Sequence, residues 1–145
     1  MSNAEQKLVA RLLAINAVTA IVGAGNTAKI WPIKMTQGIT GDAIVYQRGP
    51  TQRVNGATTA SSTSRVTLDL HVVCSTYPRQ KTLVAAVKGN PENSNGATGL
   101  NGWTDADGCV WHLVDEYDDP GPMKSGVDEP EDWGALLRFV VWCND

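Results

Sequence analysis

One stretch of this chain constrains its fold more than any other: Arg65 to Ser75, followed without a break by Thr76 to Gly89. Val66, Leu68, Leu70, Val72 and Cys74 fall on one side of an extended segment, and Arg65, Thr67, Asp69, His71 and Ser75 on the other. That is the period-two pattern of a strand with one face buried. Thr76 is placed to cap a helix whose first turn tolerates Pro78, because the leading amides there lack intrahelical partners anyway. Leu83, Val84 and Val87 line one side of this helix, and Gly89 stops it. The centre of the chain therefore reads as a strand packed by its own helix.

The flanking segments extend this pattern. From Glu5 to Val22, apolar residues from Leu8 to Val22 recur at three- and four-residue spacing, as one amphipathic helix requires. Gly23-Ala24-Gly25-Asn26 ends it. The short segment Lys29 to Ile33 contains Pro32, which bars it from the middle of a sheet and places it at an edge. Ala43 to Arg48 is a strand bounded by Gly41-Asp42 and Gly49-Pro50. Cys109 to Tyr117 is another, and Trp133 to Cys143 a third, apolar on both faces and so central. Three long connections separate these elements. The first, Gly49 to Ser64, is small, polar and turn-bearing at Asn55-Gly56; the second, Asn90 to Gly108, has Leu100 and Trp103 as its apolar anchors; the third, Asp118 to Asp132, is acidic and broken by Pro and Gly, hence solvated. The order of elements predicts an α+β domain, a mostly antiparallel sheet with two helices on one face. Connections longer than ~12 residues are uncommon in compact domains unless they have a job.

The chain has 145 residues, enough for a single domain that buries roughly 70% of its unfolded surface. Ser2-Asn3-Ala4 matches the scar left by an expression tag, so residues 1–4 are set apart and residues 5–145 form the domain. A net charge of −3 argues against sequence-specific nucleic-acid binding, which calls for a basic stripe against phosphate. No apolar run approaches the ~20 residues that span a bilayer, and no basic segment precedes an apolar one at the start, so neither a membrane nor secretion is expected. Cys74, Cys109 and Cys143 are odd in number and far apart, each among strand-like residues, and read as reduced, buried thiols.

Catalytic chemistry is thin. His71 beside Asp69, and His112 near Asp115 and Glu116, are the only His–carboxylate neighbours, and no nucleophile stands in a Gly-x-Ser-x-Gly turn. No metal-ligand spacing occurs; Asp105-Ala106-Asp107-Gly108 is shorter than a calcium loop and reads as a tight turn. No catalytic residue, metal or cofactor is expected. Among the five tryptophans, Trp111 and Trp142 read as core or sheet-face residues, whereas Trp103 and Trp133 sit at loop margins. The expected interaction positions are Arg53, Asn55, Gly56 and Thr58 in the first connection, with Trp103 and Trp133.

Taken in order, the helix ending Ala20-Ile21-Val22-Gly23, then Lys29-Ile30-Trp31-Pro32, Ala43 to Arg48, Val66 to Tyr77, the helix ending Ala85-Ala86-Val87-Lys88, and Leu137 to Trp142 resemble the tail-completion or tail-terminator proteins of long-tailed bacteriophages, the head-to-tail joining family of the gpU type. The chain departs from that pattern at Trp31, at Gly41-Asp42-Ala43 and in the length of Asn90 to Gly108. The resemblance implies a non-enzymatic ring of six copies that sits on the tail-tube protein, ends its polymerisation and meets the head-completion or connector protein. It also implies a place in the virion tail, assembled in the bacterial host cytoplasm. Two other classes compete: a monomeric ligand-binding module using the loop tryptophans, and a small hydrolase built on His71 or His112.

Overall fold

The computed structural model describes residues 3–25, 28–32, 42–53, 63–90, 98–119, 126 and 132–144. Helices α1 (Ala4–Ala14) and α2 (Asn16–Val22) come first, followed by strands β1 (Ile30–Pro32), β2 (Ala43–Arg53) and β3 (Thr63–Cys74). Helix α3 (Tyr77–Lys88) and strands β4 (Val110–Asp118) and β5 (Trp133–Asn144) complete the order. The strands make one sheet, β1-β2-β3-β5-β4, parallel between β1 and β2 and antiparallel at every other pairing. The fold is α+β and mostly antiparallel, as the element order predicts.

The core follows from the alternation. Leu68, Leu70 and Val72 on β3 stand opposite Phe139, Leu137 and Ala135 on β5, all buried on one sheet face. Leu8 and Leu12 of α1, Val18 and Val22 of α2, and Leu83, Val84 and Val87 of α3 pack into the same cluster. Burying each such side chain contributes roughly 1.5–3 kcal/mol. α3 is held as predicted: Thr76 caps it through the Arg79 amide, and Gly89 ends it with φ of 68°. A Cβ at Gly89 would run into the Gly99 backbone, so this close approach, which seats the 98–108 segment against α3, admits only glycine there. Pro32 lies on an edge strand and β5 at the centre, both as expected.

Four expectations need correcting. The single helix from Glu5 to Val22 is two, because Ile15 is extended (φ −91°, ψ 108°) and closes one helix as it opens the next. Buried pairs four apart on each side of the break, Leu8 with Leu12 and Val18 with Val22, keep the helical period and so conceal it. Among the described residues there are thus three helices, all contributing to the core on one sheet face. Asn3 and Ala4 belong to the fold: Asn3 accepts from the Gln6 amide at 2.8 Å while the Gln6 side chain accepts from the Asn3 amide at 3.1 Å, a reciprocal capping box. β2 does not stop at Gly49-Pro50 but runs on to Arg53 through a register shift between Arg48 and Thr51; a bulge is where a strand absorbs a residue without an amide hydrogen. Finally, Cys109 and Cys143 are joined in a disulfide. Their Cα atoms are 4.4 Å apart, the spacing of a close-approach antiparallel pair, and the β4–β5 register (Val110 opposite Trp142) brings them face to face. The 34 residues between them conceal this pairing. Cys74 is a free, buried thiol, as expected.

Candidate interaction surface

The positions singled out in the sequence do not converge. Asn55, Gly56 and Thr58 lie outside the described residues, and Arg53 is the last residue of β2 instead of a loop residue. Trp103 is half-buried, stacked on Trp111 (5.3 Å between ring centroids) with the Arg11 guanidinium 4.9 Å from its ring. Trp133 opens β5 and packs on Tyr77 at 5.0 Å, with Lys81 over the Tyr77 ring. Both tryptophans are engaged within the chain. The acidic third connection falls mostly outside the described residues.

What sequence reasoning missed is the anchoring of the 98–108 segment. The Asp105 carboxylate, buried at 2% exposure, accepts from the amides of Asp107 (2.9 Å) and Cys109 (3.0 Å) and from the Trp111 indole (3.1 Å), and pairs with Lys7 Nζ at 3.2 Å. Lys7 also reaches Asp107 at 2.9 Å and lies 3.4 Å from Cys109 Sγ. Burial by itself pushes the Asp105 carboxyl up, but donation from Trp111, Cys109 and Lys7 holds it below the usual carboxylate range. Burial by itself lowers the Lys7 ammonium, but its contacts with Asp107 and Asp105 outweigh that and raise it. Asp-x-Asp-Gly is indeed a tight turn, closed by the Gly108 amide on the Asp105 carbonyl. Its carboxylate ties α1 to β4. The only sequence signal was an Asp ahead of a turn glycine, which does not reveal a partner about a hundred residues away. Beside this knot a cleft of about 530 Å³ opens between α1 and the loop, lined by Gln6, Ala10, Ala14 and Trp103.

A second surface is the sheet face opposite the helices. Arg65, Thr67, Asp69 and His71 of β3 share it with Leu136, Arg138, Val140 and Trp142 of β5 and with Val110, His112, Asp115 and Tyr117 of β4. Arg138 grips Asp69 at its middle (2.8 and 3.3 Å). His71 Nε2 is 3.4 Å from Asp119 while Asp69 pairs with Arg138, so the sequence-adjacent His71–Asp69 pair does not form; His112 lies on β4, on the same face as Asp115. Trp142 (37%), Tyr117 (50%) and Val114 (55%) are the most exposed large apolar side chains of β4 and β5.

Both edges of this sheet resist further strands. β1 is three residues long and contains Pro32. On β4, the first half of the open edge is taken by Gly102, Trp103 and Asn101, which bond to Trp111 and Leu113. The second half carries a register shift at Val114 and then Asp115, which accepts its neighbour's amide, Glu116 and Asp118. Short strands, proline, bulges and charge are the devices that block edge pairing. No described helix is long and apolar enough to cross a membrane, and the described residues contain no group of three or more His, Cys, Asp or Glu placed to hold a metal ion. No protein-family model matches the chain, and no curated protein matches it.

Proposed function

We propose that this chain is a structural protein of a tailed bacteriophage or prophage: a tail-completion ring that caps the tail tube, ends its polymerisation and joins tail to head. The reading rests on the order of elements that resembles the gpU type. The observation that supports it best is the division of the sheet into a helix-covered face and an opposite face carrying the exposed Tyr117 and Trp142, with both edges closed to strand addition. A protein built this way offers side-chain surfaces to neighbours instead of a template for open-ended β-pairing. Its partners would be five further copies of itself, the tail-tube protein and the head connector, in the virion tail; no catalytic step is part of the role. Disrupting the gene should give full heads, unjoined tails and tails of uncontrolled length, and purified protein added to isolated tails should appear in electron micrographs as a ring at one end. Infectious particles with normal tails from the disrupted gene would refute the reading. The cleft beside Trp103 favours a second reading, a monomeric ligand-binding module, and a saturable glycan titration quenching Trp103 fluorescence would support it.

A further inference from the structure

Three parts of the fold meet at one sulfur. Cys109 stands between the turn that Asp105 holds and the start of β4, and its disulfide partner Cys143 lies near the end of β5. The β4–β5 ladder runs from Val110 opposite Trp142 to Asp118 opposite Ala135, so hydrogen bonds keep the two cysteines face to face whether or not their sulfurs are joined. The two sulfurs are not equivalent. Cys109 is 2% exposed, whereas Cys143 is half-buried. Lys7 of α1 donates from Nζ to Cys109 Sγ at 3.4 Å, and the same ammonium holds Asp105 and Asp107. A sulfur within a disulfide is a weak acceptor and a thiolate a strong one, so this contact gains most of its strength when the bond opens. Asp105 and Asp107 oppose a negative sulfur. The Asp105 oxygens, however, are already engaged by two amides, the Trp111 indole and Lys7, and Asp107 is a third exposed and screened by solvent. The rate of thiol–disulfide exchange depends on which sulfur can be reached and on how well the departing thiolate is stabilised. Both conditions select entry at Cys143 and departure from Cys109.

We propose that Cys143 and Cys109 form an exchange site for small monothiols of the glutathione class, in which Cys143 takes the incoming thiol and Cys109 is the resolving thiol, its thiolate held by Lys7. In the opening direction the external thiolate attacks Cys143 Sγ, the bond to Cys109 breaks, and its electron pair leaves on Cys109 Sγ. A second external thiolate then attacks the external sulfur of the mixed disulfide and releases Cys143 as a thiolate, which takes a proton from water. Two small thiols become one small disulfide and the protein gains two electrons. Closing runs in reverse: Cys143 attacks the small disulfide and expels one thiolate, then Cys109 attacks Cys143 Sγ and expels the other. Cys74 stands outside this chemistry, buried and with its thiol pushed up to about 12. The site is independent of the tail reading.

The test follows the reduced full-length chain as glutathione disulfide reoxidises it, with acid quenching at intervals and peptide mass spectrometry of the adducts. Glutathione should appear first on Cys143, at least about tenfold over Cys109, and then give way to the Cys109–Cys143 disulfide while Cys74 stays unmodified. In Cys109→Ser the Cys143 adduct should persist, and in Cys143→Ser the Cys109 adduct should form at least about tenfold more slowly. The part played by Lys7 is read separately, from thiolate absorbance of Cys143→Ser as pH rises. Lys7→Met in that background should move the ionisation of Cys109 up by at least about one pH unit, Asp105 and Asp107 being the charged neighbours that remain. Circular dichroism checks the fold of each variant, and the wild-type adduct map needs no variant at all. Glutathione arriving first on Cys109, equal adducts on both, or exchange only as fast as global unfolding would overturn the site. An ionisation that Lys7→Met leaves unmoved in a folded protein would overturn Cys109 as the stabilised leaving group. Neither failure touches the tail reading, which stands or falls on the ring seen on isolated tails.

Discussion

Replacing Asp105 with alanine should be among the most damaging single changes outside the apolar core. The carboxylate satisfies two donors that have no access to water, the Cys109 amide and the indole of Trp111, whose side chain is fully buried. Each stranded buried donor costs about 1–3 kcal/mol. Lys7 is not stranded, because Asp107 still holds it at 2.9 Å, so the loss there is one charge-assisted bond. The expected total is about 3–5 kcal/mol. Asp105→Asn keeps an acceptor for the two loop amides but turns an amino group toward Trp111 and Lys7, and should lose about half as much. Urea unfolding followed by tryptophan fluorescence reads both, with a midpoint shift of about 2 M for the alanine variant at an m of about 2 kcal/mol per M. The pH dependence has a definite sign. With its folded-state pKa below the ordinary 3.8, Asp105 contributes stability that is present above that value and is lost as pH falls below it. Wild type should thus lose more stability on acidification through that range than Asp105→Asn does. A loss under about 1 kcal/mol for Asp105→Ala would refute the reasoning, since it would mean that water reaches the indole and the Cys109 amide when the carboxylate is gone.

Leu70→Ala, at a fully buried position between β2 and β5, should destabilise by ~2–5 kcal/mol in the same unfolding assay; a change under ~1 kcal/mol would mean the β3 face is inverted. Reducing Cys109–Cys143 opens a cross-link spanning 34 residues and should cost about 4 kcal/mol by the loop-entropy relation, seen as a lower melting temperature with reductant than without it. The Cys74 thiol is pushed up to about 12, chiefly by burial and then by the Asp42 carboxylate, so thiol reagents at pH 8 should label it only after unfolding; rapid labelling of the native protein would contradict its burial. Gly134→Ala should be destabilising although its backbone is ordinary, because a Cβ there would overlap the Asp119 carbonyl at the β4–β5 junction, where the Gly134 carbonyl also accepts from the buried Gln80 side chain.

Much of this architecture was written in local patterns. Alternation over Val66 to Cys74 and Ala135 to Cys143 placed the strands and their inner faces, and Thr76, Pro78 and Gly89 delimited α3, because strand period and helix caps depend on residues a few positions apart. What stayed hidden depends on partners far along the chain. The Cys109–Cys143 bond follows from the β4–β5 register; the Asp105 anchor needs Lys7, and the buried Gln80 is explained only by Asp118 and the Gly134 carbonyl. The stacking of Trp103 on Trp111 and of Trp133 on Tyr77 was hidden for the same reason, since a tryptophan at a loop margin looks identical in sequence whether it faces solvent or packs on another ring.

The position of β5 governs the order in which the molecule can be built. Among the described residues β4 has no long strand partner except β5, and β5 also supplies the second neighbour of β3. During synthesis the ribosome therefore releases β1, β2, β3 and α3 as a partial sheet whose longest strand is open along twelve residues, and β4 follows with nowhere to dock. Only when Trp133 to Asn144 inserts between them are both edges closed at once, so the final sheet forms in a late concerted step dominated by contacts distant in sequence. Until then the bare edge of β3 is the surface most prone to pair with another nascent chain. A chain truncated before Trp133 should accordingly accumulate as aggregate and not as a smaller soluble fold.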